Sequence, residues 1–305
     1  MEIIRSFEDM VIHLAQRQKR RRVAVVWAED AYSQVSLERA LDVGFVDVVF
    51  VGCRHEVEQN QRLMHFSDHI EFVEAHDRDE AARRAVALVK SGEADILMKG
   101  MINTDNLLHV VLHKETGILP KGRVLTHVTA ARLPELDRLL FFSDSAVIPY
   151  PTQAQRIEQV RYITSVCHSF GIREPRVSLI HCTEKVNEKY FPFTPGYKEI
   201  VRMGEEGVFG PCIIDGPLDL KTSVSPESMH IKGIQSPIEG MANALVFPDI
   251  EAANVFYKSI TLFLGVETAG MLQGAMVPVV LPSRSDSKLC KFYSLALAAV
   301  TSNER

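Results

Sequence analysis

Five consecutive polar residues, Ser283, Arg284, Ser285, Asp286 and Ser287, separate two apolar runs near the C-terminus. Val279 to Leu281 has the composition of a short buried strand. Lys288 to Val300 has helical spacing, with Leu289, Tyr293, Leu297 and Val300 on one side. Ser and Asp favour helix N-caps, and a helix N-terminus offers unpaired N–H groups and a positive dipole end. Arg284 adds a planar fork of donors. The expectation is a strand, a polar turn and a helix that together seat a phosphate or a developing oxyanion. The plainer alternative is a well-capped helix beside a surface arginine.

Three further strand ends carry polar groups. They are Lys99-Gly100 with Asn103 and Thr104, Asp215-Gly216-Pro217, and Pro248-Asp249 with Asn254. Each alone is ordinary turn chemistry. Together they fall where open parallel sheets bind ligands, outside the carboxyl ends of the strands. Lys99, Ser283 and Arg284 around helix N-termini would hold an oxyanion, phosphate above all.

Other chemistries find little support. The chain has no G-x-G-x-x-G, G-x-x-x-x-G-K-[ST], H-E-x-x-H or G-x-S-x-G motif. His109 and His113, four apart on a predicted helix, have no acidic residue beside them, so no metal site is expected. His127 falls in a predicted strand and reads as a structural histidine. Lys258, in an apolar helix, either snorkels or reaches an acidic group or ligand across an interface.

These residues must be carried by a framework. Apolar strands at 22–27, 46–51, 70–73 and 96–98 alternate with helical stretches at 6–18, 37–43, 57–64, 79–90 and 104–112. That rhythm implies repeated β-α-β units and a mostly parallel sheet. Runs at 124–130 and 138–142 suggest an antiparallel pair added to it. After Pro149 and Pro151 a second rhythm begins. Helices are expected at 153–170, 197–206 and 250–264, strands at 176–180, 212–214 and 243–247, and a loop at 270–274. The helix at 250–264 is apolar all round, so it should be buried within the subunit or at a dimer interface.

The 305 residues, 46% hydrophobic and 24% charged, suit a soluble globular protein of one or two domains. A net charge of -5 gives no support to nucleic-acid binding. The basic run Lys19 to Arg22 is a solvated helix end or part of a polyanion site. No apolar run reaches the roughly 18–20 residues of a membrane-spanning helix. Five dispersed cysteines with no Cys-x-x-Cys pair suit a reducing cytosol, so a cytoplasmic location is expected.

The segments 94–100 with Asn103-Thr104, 213–218, 245–254 with Tyr257-Lys258-Ser259, and 283–286 resemble the phosphotransacylases. The likeness is greatest to the phosphate butyryltransferase branch and runs through nearly the whole chain. It implies an isocitrate/isopropylmalate dehydrogenase-like fold of two α/β domains with mostly parallel sheets and a cleft between them. The first domain would comprise residues 1–149 plus 270–305, and the second, dimerising one residues 150–269. The resemblance also implies a homodimer. It implies reversible conversion of acyl-CoA and phosphate into acyl phosphate and CoA, by direct attack without a covalent enzyme intermediate. CoA, acyl-CoA and phosphate are then substrates, with no bound cofactor, metal, nucleic acid or membrane. Ser283 would hydrogen-bond the CoA thiol, and Arg284 would hold the phosphoryl group or acyl oxygen. Lys99, Asn103, Thr104, Arg138, Asp215, Asp249 and Asn254 would line the substrate site. Acetyl-type relatives often place an acidic residue seven positions after the serine. Here that position is Cys290, which leaves Asp286 as the nearest base.

Other outcomes stay open from sequence. One is an acetyl-specific enzyme. Another is a metal- and NAD-dependent decarboxylating dehydrogenase-like enzyme, with Asp215 and Asp249 the obvious but unclustered ligands. A third is a non-catalytic acyl-CoA-sensing protein. The chain begins and ends near the expected domain limits, which favours a free-standing enzyme.

Overall fold

The computed structural model describes residues 2–17, 19–283 and 286–302. Arg284, with Ser285, lies outside the described residues. The chain divides into two compact units. The first unit joins Phe7–Leu125 to Glu267–Arg305, and the second joins Met1–Ser6 to Thr126–Val266.

In chain order the first unit begins with α1 (Phe7–Gln16), β1 (Arg21–Val26), α2 (Ala31–Val43), β2 (Val46–Gly52), α3 (Arg54–Glu58) and α4 (Gln61–Met64). It continues through β3 (Ile70–Glu74), α5 (Arg78–Lys90), β4 (Ile96–Lys99) and α6 (Thr104–Val111). The second unit follows with β5 (Thr126–Ala131), β6 (Leu140–Ser143), α7 (Gln153–Ser169), β7 (Arg176–Ile180) and α8 (Pro195–Glu205). It ends with β8 (Ile213–Leu218), α9 (Leu220–Val224), α10 (Pro226–Ile231), β9 (Ala244–Val246) and α11 (Ile250–Phe263). The chain then returns to the first unit as β10 (Thr268–Gln273), β11 (Val279–Val280) and α12 (Lys288–Thr301).

The strands of the first unit run in the order β3-β2-β1-β4-β11-β10. All neighbours are parallel except β10 and β11. Strands covered on both faces need apolar side chains throughout, and β1 and β4 are almost entirely buried. Local signals set the helix ends. Asp30 caps α2, whose last turn closes on left-handed Gly44. Asp77 caps α5 and Ser287 caps α12. The helix α12 seats Tyr293 face-on against Phe7 at 4.5 Å, and Arg39 covers Phe292 at 4.3 Å.

The second unit runs β5-β6-β9-β7-β8. The β5–β6 hairpin is antiparallel, and the other pairs are parallel. Phe142, Phe247, Leu245 and Leu140 anchor its core.

Four expectations change. Residues 268–273 form a strand where a loop was expected, because they pair with β11 at Leu272↔Val279. The 126–143 hairpin belongs to the second unit, because β6 pairs with β9 at Phe141↔Ala244. The division therefore falls at 125/126 and 266/267, where the sequence suggested 149/150 and 269/270. The strand expected to stop at Asp215 continues to Leu218. It is the end strand of this unit's sheet, where the missing N–H of Pro217 is tolerated. The apolar helix α11 buries only Ala253 and Ile260 fully, while Val255, Leu262 and Phe263 are 65–78% exposed.

Candidate active site

Two strands bring the first group together. Because β11 pairs with β4 in parallel, at Val279↔Leu97 and Val280↔Met98, both chains leave the sheet at one edge. Lys99 and Gly100 leave β4 there. Leu281, Pro282 and Ser283 leave β11. The Lys99 side chain is buried, and its ammonium donates to the carbonyls of Gly100 and Ile102 at 3.3 and 3.2 Å. It anchors the turn leading to α6 and places a positive charge under it. Gly100 must be glycine, since a Cβ there would lie 2.5 Å from the Trp27 carbonyl oxygen and 2.6 Å from that of Val26. Asn103 and Thr104 are exposed at the N-terminus of α6.

Ser283 is exposed. Its amide donates to Asp286 Oδ2 at 2.7 Å, and the Asp286 amide returns a 3.2 Å bond to the Ser283 carbonyl. The carboxylate therefore sits against the serine backbone, one turn before α12. Cys290 stands on the first turn of α12, its thiol 3.8 Å from Thr268 Oγ1. Burial, with the Asp286 carboxylate adding to it, pushes that thiol up to about 11. A thiol held neutral at physiological pH cannot serve as a base.

The second group lies in the second unit. Asp249 follows β9, and its side chain caps α11 by accepting the Ala252 amide at 2.8 Å. Asn254 projects from the next turn and donates to the Ser145 carbonyl at 2.9 Å. Both belong to the carboxyl edge of that unit's parallel strands. Asp215 does not. It sits inside β8 opposite Ser178 and accepts the adjacent Gly216 amide at 2.8 Å. Arg138 is also displaced from that edge. It precedes β6 at the amino end of the strands, where its guanidinium donates to the Ala242 carbonyl and to Asp137.

The sequence reading passed over several supports. Asp144 is buried and accepts from Thr126 Oγ1 and from the amides of Ala146, Val147 and Ile148. That cluster fixes Ser145, whose hydroxyl meets His127 Nδ1 at 3.2 Å. His127 Nδ1 also meets Thr129 Oγ1 at 3.1 Å. Arg156 is buried beneath the Asp249 turn and donates to the Pro248 carbonyl at 3.0 Å. Burial opposes its charge, and the rings of Phe193 and Tyr197 cover it at 5.2 and 5.4 Å. Asp144 between two serines, Ser143 and Ser145, ahead of the apolar Ala146 to Ile148, was the available signal for the first cluster. Nothing in sequence marked Arg156.

Among the described residues no three His, Cys, Asp or Glu side chains gather as a metal ligand set. His109 and His113 do not share a helix, since α6 ends at Val111 and His113 Nδ1 accepts from Thr116. No helix among them is long and apolar enough to cross a membrane.

Comparison with known proteins gives a consistent pattern. Residues 65–299 match the sequence profile of the family described as Phosphate acetyl/butaryl transferase. A phosphate butyryltransferase of Clostridium acetobutylicum is 34% identical over 304 residues, covering 99% of this chain and 100% of that protein. A phosphate acetyltransferase of Thermotoga maritima is 34% identical over 295 residues, covering 96% and 99%. The crystal structure of a branched-chain phosphotransacylase from Enterococcus faecalis superposes with a TM-score of 0.81 at 30% identity, covering 93% of this chain and 99% of that one.

Proposed function

We propose a specific reaction for this chain, which belongs to the phosphate acetyl/butaryl transferase family and is a phosphate acyltransferase. It interconverts acyl-CoA plus phosphate with acyl phosphate plus CoA, and its preferred acyl group is short, with butyryl first. The observation that supports this most is the shared edge of β4 and β11. From that edge the chain leaves β4 through Lys99 and Gly100 toward α6, and leaves β11 toward Ser283 and Asp286.

In this reading the CoA sulfur attacks the acyl-phosphate carbonyl directly. The protein contributes proximity and a site for developing negative charge. Ser283 Oγ hydrogen-bonds the thiol, Asp286 accepts its proton, and Arg284 neutralises the oxyanion or departing phosphate. Lys99 supports the turn from below and raises the local positive potential. The butyryl preference is supported by the phosphate butyryltransferase relatives. The neutral Cys290 thiol is consistent with Asp286 as the proton acceptor.

We also propose a homodimer packed through α11. Its exposed Val255, Leu262 and Phe263, with Leu264 beyond, form the kind of apolar face that soluble proteins cover. The isocitrate/isopropylmalate dehydrogenase-like arrangement is retained as part of this proposal, supported by the return of β10, β11 and α12 to the first unit.

The test is thiol release, read with DTNB, from a panel of acyl-CoAs with and without phosphate. The expected result is phosphate-dependent release peaking at four carbons, falling on the order of 100-fold in Arg284→Ala. An Arg284→Ala enzyme with full activity would sink the assignment of that residue. No release from any acyl-CoA would replace the catalytic reading with acyl-CoA sensing.

A further inference from the structure

The carboxyl edge of the first unit's sheet carries a second feature. Trp27, the one tryptophan of the chain, follows β1 with φ +57, a backbone conformation rare for bulky residues. Both neighbouring strands are shaped around it. A Cβ on Gly52, at the end of β2, would lie 3.0 Å from the indole ring, and one on Gly100 would meet the Trp27 carbonyl. That carbonyl accepts the Met101 amide at 2.8 Å, and the Trp27 amide donates to the Val51 carbonyl at 2.9 Å. Such over-determined strain is characteristic of ligand sites.

Trp27 lines an open surface cavity of about 450 Å³ with the exposed His76, Asp77, Arg78, Asp79 and Asn106. The indole Nε1 is enclosed by protein with no hydrogen-bond partner among the described residues, so Trp27 offers the cavity carbon surface. Asn106 Nδ2 donates to Asp79 Oδ1 at 2.9 Å, placing an amide and a carboxylate side by side. The acids Asp77 and Asp79 offset Arg78 and His76, so the cavity does not select a phosphate. An aromatic surface with paired donor and acceptor edges suits a flat, uncharged heterocycle bearing an exocyclic amine.

We propose that this cavity binds the nucleobase end of CoA, with the base packed on Trp27 and its edge read by Asp79 and Asn106. The proposal rests on the acyl-transfer reading above. From β11, which ends toward Ser283, to β1, which ends at Trp27, there are two strand spacings, about 10 Å at ~4.8 Å each. CoA joins its thiol to its base through a flexible arm that can bend to this span. One edge of one sheet thus presents a thiol site and a base site.

Because Trp27 is the only tryptophan, the intrinsic emission of the protein reports this cavity directly. The full-length protein is titrated with CoA, adenosine 5′-monophosphate and pantetheine. CoA and the nucleotide should quench saturably, while pantetheine should not. Asn106→Ala and Asp79→Asn, both at exposed positions, should each raise the CoA midpoint and the KM for acyl-CoA about tenfold. The KM for acyl-pantetheine should shift far less, since that substrate lacks the base. Flat emission at saturating CoA in an enzyme that turns over acyl-CoA overturns the proposal. So does a quench that pantetheine alone reproduces. If the nucleotide quenches but no acyl-CoA releases thiol, the base site stands and the acyl-transfer reading falls.

Discussion

Asp286 and Ser283 hold each other through their backbones. The Ser283 amide donates to Asp286 Oδ2 at 2.7 Å, and the Asp286 amide donates to the Ser283 carbonyl at 3.2 Å. A carboxylate three residues after the serine therefore stands beside it without depending on the next turn of the helix. Asp286→Asn keeps the size and an acceptor oxygen but removes the charge. Turnover should fall on the order of 100-fold, and the acid limb of the pH–rate profile should vanish. A variant with wild-type rate and an unchanged profile would show that another group takes the proton.

Cys290 should behave as a packing residue. Its folded thiol titrates at about 11, pushed up first by burial and then by Asp286. A raised pKa means that the unfolded chain releases this proton first. The contribution of Cys290 to stability is full below about pH 9 and declines as pH rises toward 11. Peptide mapping after DTNB treatment at pH 8 should find Cys290 unmodified in the folded protein. Cys290→Ser should keep kcat within the same order of magnitude, against the ~10²–10⁴-fold effect of losing a general base.

The buried pair Lys291–Asp30 ties the first turn of α12 to the N-terminus of α2. Lys291 Nζ lies 3.1 Å from Asp30 Oδ1 and 3.3 Å from Ser33 Oγ. Burial works to raise the Asp30 pKa, but hydrogen bonds from Ser33 and Lys291 outweigh it and lower it. Lys291→Met leaves a carboxylate largely buried without its cation and should cost about 3–5 kcal/mol. The lowered Asp30 pKa contributes stability above about pH 4 that is lost as pH falls through the folded value. Urea unfolding should therefore show the gap between wild type and variant narrowing in acid.

Gly100→Ala tests the strand edge on which both proposed subsites depend. The added methyl would collide with two backbone carbonyls at 2.5 and 2.6 Å, and backbone cannot swing aside as a side chain can. The denaturation midpoint should drop by an amount worth about 2–4 kcal/mol at unchanged m value. Trp27 emission should shift in the native baseline. An unchanged midpoint would mean that the edge is more compliant than its packing suggests.

Phe263→Glu places a charge on the exposed apolar end of α11. If that face joins two copies, size-exclusion chromatography with light scattering should show dimeric wild type and monomeric variant. Two monomeric proteins would remove the dimer proposal.

Much of the framework was legible because fully apolar strands such as Val23 to Val26 and capped helices announce themselves locally. The failures have physical causes. Thr268 to Gln273 contains Gly270 and is followed by Gly274, so it reads as a loop until β11 supplies its partner. The short helices α9 and α10 are polar and interrupted by Pro226, with too few turns to show a period. The position of Lys99, Ser283 and Asp249 after β4, β11 and β9 was legible because apolar strands end visibly. Arg138 stands at the amino end of β6, as the strand expected from residue 138 implied. Trp27, Asp79 and Asn106 share one groove only in the fold, because three separate segments bring them together.

The β11 segment gives the chain an order of assembly. In the sheet of the first unit it lies between β4 and β10, so an inner strand is the last strand synthesised. At ~5–20 residues per second, β4 waits roughly 10–40 s on the ribosome with one side unpaired. During that wait Thr126–Val266 emerges and can fold ahead of the unit that precedes it. A nascent chain released before residue 279 therefore carries an open strand edge and no Ser283 turn. Such a product exposes a strand edge that other chains can pair with, and it lacks the turn proposed to meet the CoA thiol.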